Sequence, residues 1–339
     1  MLKSSDFATY LSSYFLRHIP TQSGYSDNTI MSYRDTFTIF LRYSKDVLHI
    51  KPEKLCFSRI GKKMIYDFLV WLEMEMKYSV STRNQRLAAL HAFIRYVQIE
   101  APEYIELCND ILSIRSKKTP TPGINYLSIA AIKELLAAPN ICSKHERRDL
   151  AVLSLLYDTG ARVQEIADLI IGNIRIKTPA TIQLTGKGNK TRIIPLMPQT
   201  VNILKSYMAE NNLLIQLNIA QPLFYNKSNE KLTRAGISYI LNKYVEIARK
   251  KQQDLFPRKV TPHVLRHSKS MHLLESNVNL IYIRDFLGHA SVVTTERYAK
   301  SNPEVKRKAI EQASPSLLPE EKYSKETKQE LLDWLKTII

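Results

Sequence analysis

The sequence contains four short segments in which arginine, lysine, histidine or tyrosine stands at a spacing suited to phosphate chemistry. In the first, Arg162 follows Gly160 at the predicted end of an apolar helix, and Glu165 stands three residues later, so both side chains could share one helical face. Arginine suits phosphate because its planar guanidinium stays charged and donates two hydrogen bonds to non-bridging oxygens. An arginine and a glutamate at this spacing are usually a surface ion pair, so this segment alone decides little.

The second segment is a basic turn between two short runs with β-strand character, 181–185 and 192–196. Its lysine, Lys187, stands at the predicted tip of a hairpin. From there it could enter a groove and donate a proton if neighbouring cations lowered its pKa. The turn is not a P-loop, because the GxxxxGK[ST] spacing is absent. A basic hairpin that only touches phosphate is the alternative interpretation.

Two histidine-containing segments complete the set. His263 and His267 stand four apart on a predicted helix, which is a metal-ligand spacing, but a valine occupies the position at which a zinc protease carries its glutamate. No metal is therefore predicted. His263 and Arg266 stand three apart at the start of that helix, where both suit an anionic phosphoryl group. In the last segment Tyr298 follows His289, although with 18 tyrosines in the chain the position of one tyrosine says little by itself.

Helices must position most of these residues. Apolar residues recur at three- and four-residue steps over 30–47, 65–76 and 87–97, which predicts three amphipathic helices. A segment with two prolines and no such pattern follows, and beyond it further helices flank the predicted hairpin. The fold class is therefore mainly α with a small antiparallel β-sheet. The predicted division is a helical domain (1–115), a linker (116–124), a mixed α/β domain (125–310) and a C-terminal tail helix (311–339).

The chain carries a large positive charge, because 49 Lys and Arg against 32 Asp and Glu give a formal net charge of +17. Residues 1–124 contribute +5 and residues 125–310 contribute +14, whereas residues 311–339 carry −2. A basic surplus spread over two folded regions predicts a polyanionic partner. Nucleic acid is the leading candidate, and a merely solubilising surface is the alternative. Composition does not distinguish DNA from RNA.

Composition also excludes several classes of protein. With 44% hydrophobic residues the chain can build a core in each of about two domains, so intrinsic disorder is not its main state. No apolar run approaches the roughly 18 residues that span a bilayer, and no secretory signal opens the sequence. We therefore expect a soluble, cytoplasmic protein without membrane contact. Three widely spaced cysteines favour neither a disulfide framework nor a zinc site.

In order and spacing the four segments resemble the tyrosine recombinase family, also called the phage integrase family, and the resemblance covers most of the chain. Residues 26–99 resemble the helical core-binding domain of that family. Two departures concern no catalytic position: residues 268–270 are polar, and Asn277 replaces a common glycine, which asparagine can do because it tolerates the left-handed conformation. The matched catalytic positions are Arg162, Lys187, His263, Arg266, His289 and Tyr298, with Glu165 as the supporting acidic residue.

The resemblance implies an enzyme that breaks and rejoins DNA and needs no metal or other cofactor. Its helical domain would be the core-binding domain and its mixed α/β domain the catalytic one. Tyr298 would attack a scissile phosphate, form a 3′-phosphotyrosyl bond and free a 5′-hydroxyl. The other roles implied are phosphate binding for Arg162, Arg266 and His263, proton exchange with Tyr298 for His263, a hydrogen bond to phosphate for His289, and protonation of the leaving oxygen for Lys187.

The implied partners are double-stranded DNA, clamped between two basic domains, and further copies of the chain in a tetramer that joins two DNA sites through a Holliday junction. An apolar stripe over 331–339, with Trp334 close by, predicts a tail helix that docks on a neighbouring protomer or, alternatively, on its own domain. Accessory DNA-bending or excision factors are left open. Candidate DNA contacts are Arg83, Arg86, Lys117, Lys118, Lys190 and Arg192.

The biological role we expect is that of an integrase or transposase of a mobile element. Resolution of replicon dimers by an Xer-type enzyme is the alternative within the family. A type IB topoisomerase would share the chemistry but act as a monomer, and a catalytically silent DNA-binding regulator would share the fold and the charge. The regulator is disfavoured because every catalytic position holds a competent residue. We expect no arm-type DNA-binding domain before residue 1.

Overall fold

The computed structural model describes residues 5–119, 123–186, 188–214 and 219–289, together with residues 291, 292, 295, 296, 298, 307 and 333–335. Lys187 lies outside the described residues. So does the predicted tail helix, except for residues 333–335, which are helical. The chain divides into two compact units, residues 1–122 and 123–339.

The first unit is helical throughout its described part. The three amphipathic helices predicted from the apolar pattern are present as Asp27–Asp46, Lys62–Met74 and Val80–Glu100. Ser79 begins the third of these as its N-cap, because its hydroxyl accepts the Thr82 N–H at 3.2 Å. The elements are α1 (Asp6–Ser13), a π-helical segment (Tyr14–Ser23), α2 (Asp27–Asp46), α3 (Lys62–Met74), α4 (Val80–Glu100) and α5 (Ile105–Leu112), with 3-10 turns at Pro52–Lys54 and Pro102–Tyr104.

Aromatic side chains form much of the core of the first unit. Phe93 in α4 lies among them, and the ring centroids of Phe7, Tyr14 and Phe37 are 5.6, 5.4 and 5.1 Å from its own. All four side chains are buried. Each buried ring of this size contributes on the order of 2–3 kcal/mol through the hydrophobic effect, so this cluster fixes how α1, α2 and α4 pack together.

The second unit combines seven helices with one small sheet among its described residues. The helix Lys144–Asp158 has Val152, Leu153, Leu155 and Leu156 fully buried, so it runs through the middle of the core. The elements are α6 (Ile129–Ala137), α7 (Lys144–Asp158), α8 (Val163–Ala167), β1 (Ile174–Arg175), β2 (Thr181–Thr185), β3 (Thr191–Pro195), α9 (Pro198–Glu210), α10 (Arg234–Lys251), α11 (Pro262–Glu275) and α12 (Leu280–Leu287), with 3-10 turns at Ile171–Asn173 and Gln253–Leu255.

The predicted hairpin is present as β2 and β3, which pair antiparallel with Leu184 opposite Arg192. The backbone N–H of Gly186 donates to the carbonyl of Lys190 at 2.8 Å and so extends the pairing past the strand ends. On the other edge β1 pairs antiparallel with β2, giving the order β1-β2-β3. The predicted fold class, mainly α with a small antiparallel sheet, is therefore confirmed.

The two departures from the family pattern fit this fold. Asn277 has a φ of +60°, so it adopts the left-handed conformation that its identity allows. Ser268 and Ser270 are buried in α11, and their hydroxyls donate to the carbonyls of Val264 and Arg266 at 2.8 Å each. Their polar atoms are therefore satisfied inside the protein.

In the part of the chain that the structure describes, no helix is both long and apolar enough to cross a bilayer.

Candidate active site

Arg162 and Glu165 lie where α7 gives way to α8. Gly160 turns the chain there with a φ of +56°, and a Cβ on it would come within 3.0 Å of Leu287 Cδ2, so both conformation and space call for glycine. Arg162 is the N-cap residue of α8, and the Glu165 carboxylate accepts its backbone N–H at 2.7 Å. The same carboxylate accepts a second bond from Arg162 Nη1 at 2.9 Å. One side chain thus caps the helix and orients the guanidinium.

Glu165 is buried and holds a second arginine from the hairpin. Arg192 Nη1 and Nη2 donate to its two carboxylate oxygens at 2.9 and 2.7 Å, a bidentate pair. Burial alone would raise the pKa of Glu165, but the bonds and charges of Arg192 and Arg162 outweigh it, and the pKa is lowered from its ordinary value. Glu165 is therefore an ionised, interior carboxylate, which excludes the surface ion pair that its spacing from Arg162 would usually indicate.

Arg266 is buried and is held by main-chain carbonyls. Its Nη1 and Nη2 donate to the carbonyls of Gly160 and Leu287, both at 2.7 Å. Burial, followed by the charge of Arg162, lowers the pKa of Arg266 to about 10, so it stays charged at neutral pH. Its two bonds fix the plane of the guanidinium.

Among the described contacts of the three arginines Glu165 is the single carboxylate, and it pairs with Arg162 and Arg192 but not with Arg266. Arg192 is bound to Glu165 on both oxygens, whereas Arg162 keeps about a third of its side chain exposed. Gly186, at the start of the hairpin turn, lies against the same group, because a Cβ on it would come within 2.9 Å of Glu165 Oε1. The site therefore has an excess of positive charge, which suits an anionic ligand.

Tyr298 is buried between two histidines. Its hydroxyl lies 2.8 Å from Nδ1 of His267, and its ring is nearly parallel to that of His289, with centroids 6.4 Å apart. Nδ1 of His289 lies 3.0 Å from the hydroxyl of Thr295. Burial, followed by the charges of the arginines, lowers the pKa of His289 to about 4. His289 is therefore neutral at physiological pH.

The histidine that contacts Tyr298 is His267, whereas the family resemblance implies proton exchange with Tyr298 for His263. His263 lies one turn earlier in α11 at the surface, and its ring stacks 6.3 Å from that of His267. Partial burial of the ring, with the charges of Arg266 and Arg162, lowers the pKa of His263. In the sequence, His267 is marked only by its position four residues after His263, a spacing that also suits a metal site. Among the described residues no group of three His, Cys, Asp or Glu side chains could hold a metal ion.

Three of the predicted DNA contacts have guanidinium groups that are bound within their own unit. Arg192 is one, as described above. Arg83 is only 2% exposed and lies 3.4 Å from Glu73. Arg86 donates from Nη1 to the Ser32 carbonyl and to the Thr36 hydroxyl, both at 3.0 Å.

The predicted lysine contacts are placed differently. Lys117 binds Glu73 at 2.8 Å but keeps half of its side chain exposed. Lys118 and Lys190 are exposed. These three remain candidates for contact with a polyanion. Lys187, the predicted proton donor, lies outside the described residues.

Glu165→Gln tests the buried carboxylate. It keeps the shape of the side chain but leaves Arg192 and Arg162 without their counter-charge, so we expect a loss of about 3–5 kcal/mol in the free energy of unfolding. Denaturant titration at pH 7 measures it. The matched control is Glu246→Gln, whose pair with Arg249 is exposed and should cost less than about 1 kcal/mol. Equal losses in the two variants would contradict the assignment.

The pKa of about 4 at His289 predicts a pH-dependent contribution to stability. A histidine in the unfolded chain titrates near 6.5, so between pH 6.5 and 4 the unfolded state binds more protons. Stability should therefore be complete above pH 6.5 and fall as the pH drops towards 4. His289→Gln should remove about 1–2 kcal/mol of that fall, less than the full shift because the ring is partly exposed. Unfolding curves at pH 5 and 7 measure this, and equal acid losses in both proteins would refute it.

Comparison with known proteins gives the family. Residues 125–305 match the phage integrase family, and residues 13–100 match the phage integrase N-terminal SAM-like domain. The candidate integrase/recombinase y4rC of Sinorhizobium fredii is 35% identical over 315 residues, which are 93% of this chain and 94% of that protein. The tyrosine recombinase XerC of Herpetosiphon aurantiacus is 32% identical over 286 residues, which are 84% of this chain and 88% of that protein.

Solved structures share the fold. The XerH site-specific recombinase bound to palindromic difH substrate, a post-cleavage complex, has a TM-score of 0.67 at 23% identity, over 84% of this chain and 79% of that chain. The Tn1549 transposon integrase in complex with transposon right end DNA has a TM-score of 0.67 at 16% identity, over 89% of this chain and 98% of that chain. Together with the sequence matches, this makes the chain a member of the phage integrase family and a tyrosine recombinase, an enzyme that breaks and rejoins DNA.

Proposed function

We propose that this recombinase integrates or transposes a mobile element, cutting and rejoining double-stranded DNA through a 3′-phosphotyrosyl intermediate at Tyr298 and a Holliday junction. The observation that carries the chemistry is that the Tyr298 hydroxyl lies within hydrogen-bonding distance of Nδ1 of His267, in the same unit as a cation-rich site. A nucleophile, a proton acceptor and charge for a phosphate are the parts that transfer to tyrosine requires.

Arg162 and Arg266 bind the non-bridging oxygens of the scissile phosphate in this mechanism. A guanidinium has five N–H donors, and the two carbonyl bonds of Arg266 use two of them. The transition state of phosphoryl transfer carries charge on the equatorial oxygens, so donors that are already in place stabilise it more than the ground state. Fixed guanidinium groups therefore lower the barrier without reorganisation.

Proton transfer completes the reaction. As the Tyr298 oxygen bonds to phosphorus, its proton passes to Nδ1 of His267, and the bond from phosphorus to the 5′-oxygen breaks. We assign protonation of that leaving oxygen to Lys187 on the basis of the family resemblance alone. His289 is neutral, and a hydroxyl of Thr295 that donates to Nδ1 leaves the ring proton on Nε2, where it can donate to phosphate. Rejoining is the reverse reaction with a new 5′-hydroxyl.

The partners follow from charge and from the relatives. A net charge of +17 supports a DNA clamp formed by both units, with exposed lysines such as Lys118 and Lys190 on phosphate. The XerH and Tn1549 integrase structures are complexes with DNA. A tetramer on two DNA sites, with the tail docked on a neighbouring protomer, and a cytoplasmic location remain part of this proposal.

Two roles within the family compete. The relative y4rC, named as an integrase/recombinase, spans nearly the whole chain and supports the role in a mobile element. The XerC relative, at 32% identity, supports a resolvase of replicon dimers as the second candidate. The position of the cleaved site separates them: cleavage at the ends of the DNA segment that carries this gene favours integration, and cleavage at a chromosomal site elsewhere favours the resolvase.

Tyr298→Phe tests the covalent intermediate. Nicked suicide duplexes drawn from the DNA that flanks the gene are incubated with the full chain, and protein–DNA adducts are detected on denaturing gels. We expect an adduct with the wild type and none with the variant, because phenylalanine lacks the attacking oxygen. Equal binding of both proteins in gel shifts is the control. Tight binding by the wild type without any adduct would favour the catalytically silent regulator.

His267→Phe tests the proton acceptor. The ring is kept but Nδ1 is lost, so cleavage at pH 7 should slow by about 10²-fold while DNA affinity is unchanged. The rate of the variant should also rise more steeply with pH than that of the wild type, because the hydroxyl must then lose its proton to solvent. His145→Phe, at an exposed histidine of α7, is the matched control. A slower variant with the pH profile of the wild type would mean that His267 has only a structural role.

A further inference from the structure

Arg192 lies outside the catalytic positions identified by resemblance, yet it makes more contacts in the site than a surface cation would. Two of its nitrogens donate to Glu165, as described above, and its Nε donates to the carbonyl of Phe286 at 3.0 Å. Its side chain is only 10% exposed. The guanidinium therefore faces the interior of the unit and joins three separate segments of the chain: the hairpin, α8 and the end of α12.

Each of these bonds ends on, or next to, a residue that supports another arginine. Glu165 holds both the backbone N–H and Nη1 of Arg162. Phe286 is followed by Leu287, whose carbonyl accepts from Arg266. Arg192 thus binds Glu165, which holds Arg162, and binds the residue before Leu287, which holds Arg266.

The backbone after Leu287 is also packed against Arg192. A Cβ on Gly288 would come within 3.1 Å of both Cδ and Nη1 of Arg192, so a larger residue there would require the Arg192 side chain to shift. Gly288 immediately precedes His289. The position of Arg192 therefore also limits where the His289 backbone can lie.

Only arginine can make this set of contacts. Its planar fork presents three nitrogens in fixed directions, two for the Glu165 oxygens and one for the Phe286 carbonyl. A lysine would keep the charge but offers a single nitrogen, which cannot occupy all three positions. The substitution Arg192→Lys therefore keeps the positive charge and removes the geometry of these contacts.

We propose that Arg192 is a positioning residue for DNA cleavage, which holds Arg162 and Arg266 in the geometry that binds the scissile phosphate and does not itself touch the phosphate. The inference rests on the proposed function. Because Arg192 belongs to β3, it also makes the hairpin and the two arginines a single connected structure. A displacement of the hairpin would therefore change the contacts that hold both Arg162 and Arg266.

The test compares Arg192→Lys with the wild type on the suicide duplex that the wild type cleaves. At saturating protein the single-turnover cleavage rate should fall by about 10²-fold, because small misplacements of binding groups have effects of this size. The affinity for the duplex, measured by gel shift, should change less than threefold. The matched control is Arg175→Gln in β1 of the same sheet, at an exposed arginine, which should cleave like the wild type.

A second substrate separates misplaced arginines from a damaged fold. A methylphosphonate at the scissile position removes the negative charge that the arginines bind, so their geometry matters less. The wild-type to Arg192→Lys rate ratio should fall from about 10² on phosphate to below about 10 on methylphosphonate. Each protein is compared with itself on the two substrates, so the measured preference does not depend on the fraction that is folded.

Three results would overturn the inference: cleavage by Arg192→Lys within threefold of the wild type, an unchanged rate ratio on methylphosphonate, or a loss of affinity that parallels the loss of rate. The last would make Arg192 a DNA contact. An adduct formed by the wild type together with any of these results leaves the proposed function intact. Absence of an adduct with the wild type on every duplex would remove both.

Discussion

The carboxylate of Glu165 is the interaction on which the rest of the site depends. A buried charge without partners is expensive, and Glu165 is stable inside the protein because it accepts four hydrogen bonds from two arginines. One of these bonds caps α8, and two come from a strand of the hairpin. Local helix structure, sheet position and electrostatics are thus determined by one side chain. Removing its charge would disturb all three at once.

The positive charge of the arginines acts both on an anionic ligand and on the histidines of the site. The pKa values of His263 and His289 are both lowered, first by burial and then by the positive charges of the arginines, which disfavour the charged form of a nearby imidazole. A neutral imidazole can accept a proton or donate one hydrogen bond without repelling the arginines. When a phosphate enters, its negative charge offsets part of this positive charge. Protonation of these two histidines is therefore less disfavoured once the ligand is bound.

The sequence predicts those features that depend on neighbours along the chain. Helical periodicity located α2, α3 and α4, and turn residues located the hairpin, because both patterns are set within one element. The motif spacing also identified Arg162 with Glu165, whose contact spans three residues.

Contacts between distant segments are not encoded in that way. Arg192 lies 27 residues from Glu165, and Arg86 lies 54 residues from Ser32, so counting charges could not tell these interior arginines from solvated ones. His267 contacts Tyr298 across 31 residues, whereas the family resemblance implied proton exchange with Tyr298 for His263.

The two arginines that we assign to phosphate are held in different ways, and the difference determines how much charge the site offers to a ligand. Arg266 is bound by carbonyls at the end of α12 and just beyond the end of α7, where the helix dipoles are negative. These partial charges lower the cost of burying the guanidinium but do not cancel its charge, as a carboxylate would. Glu165 instead carries a full negative charge, and the positive charge of Arg192, its bidentate partner, largely balances it. Arg162 and Arg266 therefore retain most of their positive charge for a phosphate.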